Sequence, residues 1–433
     1  MISFVTFVAL AILTHAFAGL LIKGEDRRWV SKVMLIAWLC LFPLLALINL
    51  WFPFAGGGDD EKYFNLAATP FDSPADIFDL THFIGEMEQP GYPWLLSILY
   101  QLTGHDLFAF KLLNLALFVM LIPLWYRIAA ELGSKSFGRA VAVAIFLLTP
   151  LWYYAMFLLK DIVITLLQSI FLLAVVQVSS GRGKGGWLLS LAATLALIPF
   201  RSQLVIVNVA VLAGAVALML ARHGNWGKSL TSLIMAVIVV GTVLTIASDR
   251  ESMAAMGIYT DHRLIGSEKA SEYMTEGFEG SQIKRALFPL LYLFSETAGL
   301  NPQTWTDFDT SSLRSILAIP WIFAGVPFFV FGLLWLIRGD SQAVHRGIIS
   351  KVQASPIVAT PWGGLLLFIL CYMAVSWIIG DTTRWRIPDM PAMAAVALAG
   401  WMSLAPRNRV PVLLSWVVIS GGLFEVYYLT REL

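Results

Sequence analysis

The sequence predicts an all-α polytopic membrane protein with about twelve transmembrane helices and interfacial helices on its outer loops. Three observations predict the class. Of 433 residues, 58% are apolar and 13% are charged, and the mean hydropathy of +0.76 leaves too little polar surface to coat a soluble domain. Apolar runs long enough to cross roughly 30 Å of hydrocarbon as helices recur along the chain. The loops between these runs alternate, every second one being short and rich in Lys and Arg.

The first run, 3–22, has no Lys or Arg before it, so it reads as a span although Ala16-Phe17-Ala18 has the form of a signal cleavage site. Further runs lie at 33–54, 107–126, 140–157 and 162–180. The run 187–200 is the weakest, being short and ending at Pro199 and Arg201. Runs at 203–221, 229–247, 313–337, 361–379, 389–404 and 410–428 complete the set. Short cytoplasmic loops carry an excess of Lys and Arg. Lys23, Arg27, Arg28 and Lys32 mark the first loop, Arg127, Lys135 and Arg139 the third, and Arg182 with Lys184 the fifth. Arg222 with Lys228, then Arg338, Arg346 and Lys351, then Arg407 and Arg409 continue the alternation. These loops are assigned to the cytoplasm. Both termini, the long loops 55–106 and 248–312, and the turns around Lys160, Arg201 and Arg384 therefore face outward.

Nothing divides the chain, so 1–433 reads as one membrane domain with its decoration on one side. Cys40 and Cys371 lie in or beside spans and support neither a disulfide framework nor a cysteine metal site. A net charge of +1 gives no footprint for nucleic acid. Long ordered loops usually exist for function, which directs attention to the outer side.

In the loop 55–106, Gly56-Gly57-Gly58 releases the chain from the second span into a tight turn before Asp59-Asp60-Glu61-Lys62-Tyr63. The turn holds a carboxylate cluster near headgroup level; the plain alternative is a set of water-facing boundary acids. Farther on, Gln89-Pro90-Gly91-Tyr92-Pro93-Trp94 precedes the apolar stretch 95–102, too short to span. That stretch suits either a helix lying in the interface or one covering its own protein.

Cations recur on the outer side, against the topogenic rule. Lys62 follows the acids, and Lys111 lies near the outer end of a span with Asn114 on the same helical face. Lys160 adjoins Asp161 at the start of a span, and Arg201 sits at an outer turn. Arg384 and Arg386 occupy Asp381-Thr382-Thr383-Arg384-Trp385-Arg386-Ile387-Pro388, where Pro388 disfavours helix before it. In an extended segment those two side chains share one side. Each cation alone has an ordinary explanation: Lys111 snorkelling, Lys160 with Asp161 as an end-of-helix pair, Arg201 as an anchor. Together they point to an anionic ligand such as phosphate, since charges at membrane depth face a cavity or a partner.

These residues resemble the GT-C superfamily of polytopic membrane glycosyltransferases, which includes protein O-mannosyltransferases and lipid A aminoarabinose transferases. The resemblance is carried by Asp59-Asp60-Glu61-Lys62-Tyr63, Tyr92-Pro93, Lys160-Asp161, and Arg384-Trp385-Arg386-Ile387-Pro388 leading to Pro391. It implies transfer of a sugar, with inversion, from a polyprenyl-phosphate-linked donor to a glycan, lipid or protein acceptor. The setting it implies is the bacterial plasma (inner) membrane, with the active site facing the periplasm. Asp59 then takes the role of general base with Asp60 as its close substitute, and Asp161 that of the second acidic position. Lys62, Tyr63, Lys111, Lys160, Arg201, Arg384 and Arg386 become substrate-binding candidates. The chain departs from the family pattern in having Asp60 where Glu commonly follows, and in an extra span before the motif loop.

The chemistry is compatible. A sugar hydroxyl is a poor nucleophile unless a carboxylate takes its proton, and a departing phosphate gains charge that Lys and Arg stabilise. No cofactor is called for; acids near Asp59 are able to hold a divalent cation, which the sequence does not require. His82, His105 and His262 share no metal-ligand spacing. The loop 248–312 reads as an acceptor-binding lid or as a packed cap. Two other functions remain open: a polymerase of polyprenyl-diphosphate-linked oligosaccharide repeats, and a transporter or flippase of lipid-linked sugar. A transporter would show related halves with broken helices at the midplane, and no matching half is evident.

Overall fold

A computed structural model describes residues 2–55, 58–68, 89–180, 184–202, 204–222, 309–338, 361–379 and 387–431. Among the described residues the secondary structure is helical, with no strand. Among the described residues five helical stretches are long and apolar enough to cross a bilayer, six if a bent pair is counted as one span. The expected run 229–247 lies outside the described residues, as does most of the loop 248–312.

The chain begins with α1 (Ile2–Leu21) and turns at Gly24, whose φ of 71° suits glycine, into α2 (Glu25–Trp51). Glu25 and Asp26 stand in the first turn of α2, where the helix dipole favours acids. After the motif helix α3 (Asp59–Ala67) comes α4 (Gly91–Thr103) and then the long central α5 (Leu107–Leu132). Asp106 caps α5 by accepting from the Phe108 and Ala109 N–H groups at 3.0 and 3.2 Å.

The span expected over 140–157 is broken. Helices α6 (Lys135–Phe146) and α7 (Thr149–Met156) meet at 54°. Pro150, at the second position of α7, supplies the reason: it has no N–H to bond back to the turn before it, and its ring crowds the carbonyl four residues earlier, so the ladder of α6 stops. The chain then enters α8 (Asp161–Ser179), α9 (Lys184–Arg201) and α10 (Leu204–Arg222). The later part comprises α11 (Thr310–Pro320), one π-helical turn at Trp321–Gly325, α12 (Val326–Arg338) and α13 (Pro361–Ile379). A 3-10 turn at Ile387–Asp389 leads into α14 (Met390–Ser403), and α15 (Pro406–Arg431) ends the described chain.

Helices α5 and α8 form the centre and are apolar nearly all round, as buried helices must be. They are joined by the Trp125 indole, which donates to the Ser169 hydroxyl at 2.9 Å. On α1, α2, α9 and α15, by contrast, Leu20, Leu39, Leu188 and Val418 are among the large apolar side chains left exposed, as a lipid-facing rim requires. Helices α12 and α14 cross at Gly332 and Gly400, where a Cβ on Gly400 would strike the Phe328 carbonyl and the Gly332 backbone.

The first and third loops, both basic, meet at one end of the bundle. At the basic-loop end, Asp26 accepts from the Arg139 guanidinium at 3.0 and 2.7 Å and pairs with Lys135 at 3.2 Å. At the same end the Trp362 indole donates to the Leu132 carbonyl at 2.9 Å. The opposite end holds the acid-rich motif. The expected interfacial helix is α4, which buries Tyr92, Pro93, Leu96 and Ser97 against the protein while Leu102 points outward.

Candidate functional site

Glycine 58, with a φ of 78°, makes the left-handed turn that starts α3. Asp59, Asp60 and Glu61 fill the first turn of that helix, where its unpaired N–H groups and dipole favour negative charge. The two adjacent aspartates have different environments. Asp60 is 1% exposed and folds back on the chain: one carboxylate oxygen accepts from the Ala55 N–H and the other from the Glu61 N–H at 3.0 Å. Asp59 is half-buried, whereas Glu61 and Lys62 are exposed. Tyr63 is buried and packs edge-on against Tyr92, ring centres 5.1 Å apart.

Lys111 belongs to the same locus but is turned away from solvent. Its side chain is fully buried, its ammonium donates to the Phe52 carbonyl at 3.3 Å, and it stands 5.2 Å from the centre of the Phe157 ring. Asp60 lies within electrostatic reach of it. Lys111 therefore holds the exit of α2 and balances the buried aspartate, a use that competes with the sequence reading of it as a phosphate ligand.

Asn114, one turn farther along α5, fastens three segments together. It accepts from the Tyr92 hydroxyl at 2.9 Å and directs its amide N–H groups to the carbonyls of Phe157 at 2.6 Å and Leu159 at 3.0 Å, with Tyr154 at 3.4 Å. The non-helical stretch between α7 and α8 is thereby satisfied by a side chain, as a buried backbone break must be. It also fixes the turn that presents Lys160 and Asp161.

Lys160 is 7% exposed and donates to the Gln89 amide oxygen. Asp161 opens α8 fully buried and accepts from the Arg201 guanidinium at 3.3 Å. Arg201 reaches this position because α9 ends beside α4, where a Cβ on Gly91 would lie 2.9 Å from the Pro199 backbone. Tyr92 stands between the two acidic positions, within electrostatic reach of Asp161 and Asp60. Burial pushes its phenol pKa well above the usual tyrosine value, while the bond to Asn114 works in the opposite direction.

Asp60, Tyr63, Lys111, Lys160, Asp161 and Arg201 thus belong to one connected locus built from α3, α4, α5, α8 and α9. Asp59 adjoins it at the first position of α3, and Lys62 lies on the exposed side of that helix. Arg384 and Arg386 fall outside the described residues. Three residues beyond Arg386, Asp389 is fully buried and acts electrostatically on the Tyr372 hydroxyl together with Arg201. Sequence reasoning passed over Asp389, although it directly follows the Ile387-Pro388 pair. It also missed the locking role of Asn114 and of Gln89, for which only the neighbouring motifs gave a signal.

The arrangement places one half-buried carboxylate at a helix start beside a buried network of two further acids and three cations. Such a site suits proton abstraction next to an anionic group. Among the described residues no three His, Cys, Asp or Glu side chains come together as a metal cage. No family model, curated protein or solved structure matches the chain.

Proposed function

We propose that this protein is a GT-C-type glycosyltransferase that moves a sugar from a polyprenyl-phosphate-linked donor to an acceptor at the outer face of a bacterial plasma membrane. In this reading the full chain crosses the membrane about twelve times, a count taken from its apolar runs. The observation that carries the reading is the gathering of Asp60, Lys160, Asp161 and Arg201, from distant parts of the sequence, around Tyr92 and next to Asp59.

Asp59 is the base. It sits at the start of α3 with more access than Asp60, and it takes the proton of the attacking acceptor hydroxyl as the glycosidic bond forms. The anomeric carbon's bond to the carrier phosphate breaks on the opposite face, and the phosphate leaves with the electron pair. Lys160 and Arg201, with Arg384 and Arg386 from the segment before Ile387, are the cations that receive its charge. Asp60 is a positioning residue, since both its oxygens are engaged by the backbone of its own turn. Asp161 orients Arg201. A phosphate-linked donor is already activated, so the reaction needs no nucleotide site.

The test is sugar transfer in membranes from a labelled polyprenyl-phosphate donor. Asp59→Asn is expected to abolish turnover while leaving donor binding intact. Full turnover by that variant would remove the proposed base.

A further inference from the structure

The outer cations identified in the sequence leave out one that the fold brings to the same place. Arg314 stands in α11, counted in the sequence as the start of an apolar run, and its chain position gives it no basic loop to belong to. Four residues earlier on the same helical face, the Thr310 hydroxyl donates to the Ala55 carbonyl at 2.7 Å. The N–H of that same residue, Ala55, is the one that donates to Asp60. The first turn of α11 therefore rests directly on the loop that carries the acid motif. Its C-terminal half packs on α7, where the Thr149 hydroxyl donates to the Leu317 carbonyl, and α7 leads to Lys160 and Asp161.

Arg314 makes no hydrogen bond or ion pair among the described residues, and its Nε is buried without a partner. A guanidinium always carries its charge and presents five N–H donors in a planar fork. Arg314 is half-buried one turn into α11, and a buried guanidinium N–H left without an acceptor calls for an anion. Both acids of the locus that are fully buried are already engaged elsewhere, Asp60 by its own turn and Asp161 by Arg201.

We infer that Arg314 is an anion-binding residue that takes a phosphoryl group on the α11 side of the motif loop. The sugar-transfer reading enters only in identifying that group as the phosphate of the lipid carrier. Thr310 positions it: by anchoring α11 to Ala55, it sets Arg314 at a fixed height relative to Asp59 and Asp60.

The full chain in lipid nanodiscs tests this with two probes, geranylgeranyl phosphate and inorganic phosphate. Arg314→Gln is expected to weaken geranylgeranyl phosphate binding roughly tenfold to a hundredfold, the factor for losing a charge-assisted hydrogen bond. Arg314→Lys is expected to retain most of the affinity, which separates a lost charge from a damaged fold. Inorganic phosphate bound equally well and with the same dependence on Arg314 would assign the site to free phosphate and not to a lipid carrier. Unchanged binding in Arg314→Gln, or no binding of either probe by wild type, overturns the inference. If binding depends on Arg314 while no labelled sugar is transferred, the anion site stands and the sugar-transfer reading falls.

Discussion

Asn114 offers the most direct test of how the site is held, because one side chain joins α4, α5 and the break between α7 and α8. Replacing it by Ala leaves the Tyr92 hydroxyl and the Leu159 carbonyl without this partner in a buried setting, while the Phe157 carbonyl keeps the Leu159 N–H at 2.9 Å. Each orphaned buried group costs about 1 to 3 kcal/mol, so the two together are expected to cost about 2 to 6 kcal/mol. Tyr92→Phe removes one of those bonds and orphans only the Asn114 carbonyl oxygen, for about 1 to 2 kcal/mol. Because both substitutions break the same Tyr92–Asn114 bond, their costs overlap.

Reversible unfolding of the two single variants and of the double variant in detergent micelles measures this. The double variant is expected to cost less than the sum of the singles by about 1 kcal/mol, the coupling usual for residues in one network. Strict additivity would show that the Tyr92–Asn114 bond does not operate, and with it would fall the claim that Asn114 fastens α4 to the turn that presents Lys160 and Asp161. Sugar transfer provides the second readout. Tyr92→Phe, which keeps the fold, should lower turnover if the Lys160–Asp161 turn must be held in register.

Tyr92 also carries a pH signature. Its phenol pKa is raised in the folded chain, so the folded state holds the proton more tightly. The associated stability is fully present below the ordinary tyrosine pKa and declines as pH rises above about 10, at about 1.4 kcal/mol per pH unit for one phenol. Tyr92→Phe should flatten the alkaline limb of an unfolding profile by that one-proton slope; an unchanged limb would contradict the assigned burial. Gly400→Ala should destabilise the protein by about 1 to 3 kcal/mol, because the added methyl meets backbone on α12. Thermal unfolding of the variant, unchanged from wild type, would refute that close crossing. Asp60→Asn should destabilise the motif turn by leaving buried Lys111 without its nearby countercharge, and Lys111→Met should recover part of the loss. Unfolding of the double variant decides between that compensation and simple addition.

The class of the fold was legible because apolar length and loop charge report on solvent, and solvent decides where helices go. The order of acids and cations was legible for the same reason: a Lys or Arg placed against the topogenic rule stands out in sequence. Their division of labour was not. Asp59 and Asp60 look interchangeable as letters, and only the backward turn onto Ala55 separates a buried anchor from an accessible carboxylate. Lys111 likewise looked like a phosphate ligand until α2's exit was seen to lie over it. Pro150 was visible in the sequence, but its effect depended on a side chain that satisfies the break, the Trp152 indole donating to the Phe146 carbonyl at 2.8 Å.

Arg314 shows the opposite failure. Its charge was absorbed into an apolar run, since a hydropathy window averages one cation away among the apolar residues that follow it. In three dimensions that average has no meaning, because a guanidinium is solvated or paired individually. The residue matters through its register with Thr310, which no one-dimensional pattern records. Opposed charges therefore meet at this end of the bundle by two routes. Asp161 and Arg201 are brought together by the packing of α8 on α9, and the helix that carries Arg314 is tied to the motif loop by the Thr310 hydroxyl, which donates to the Ala55 carbonyl. The first route can be broken only by disturbing the core. The second rests on one hydroxyl, so Thr310→Val should uncouple Arg314 from the motif loop while leaving the Asp161–Arg201 pair in place.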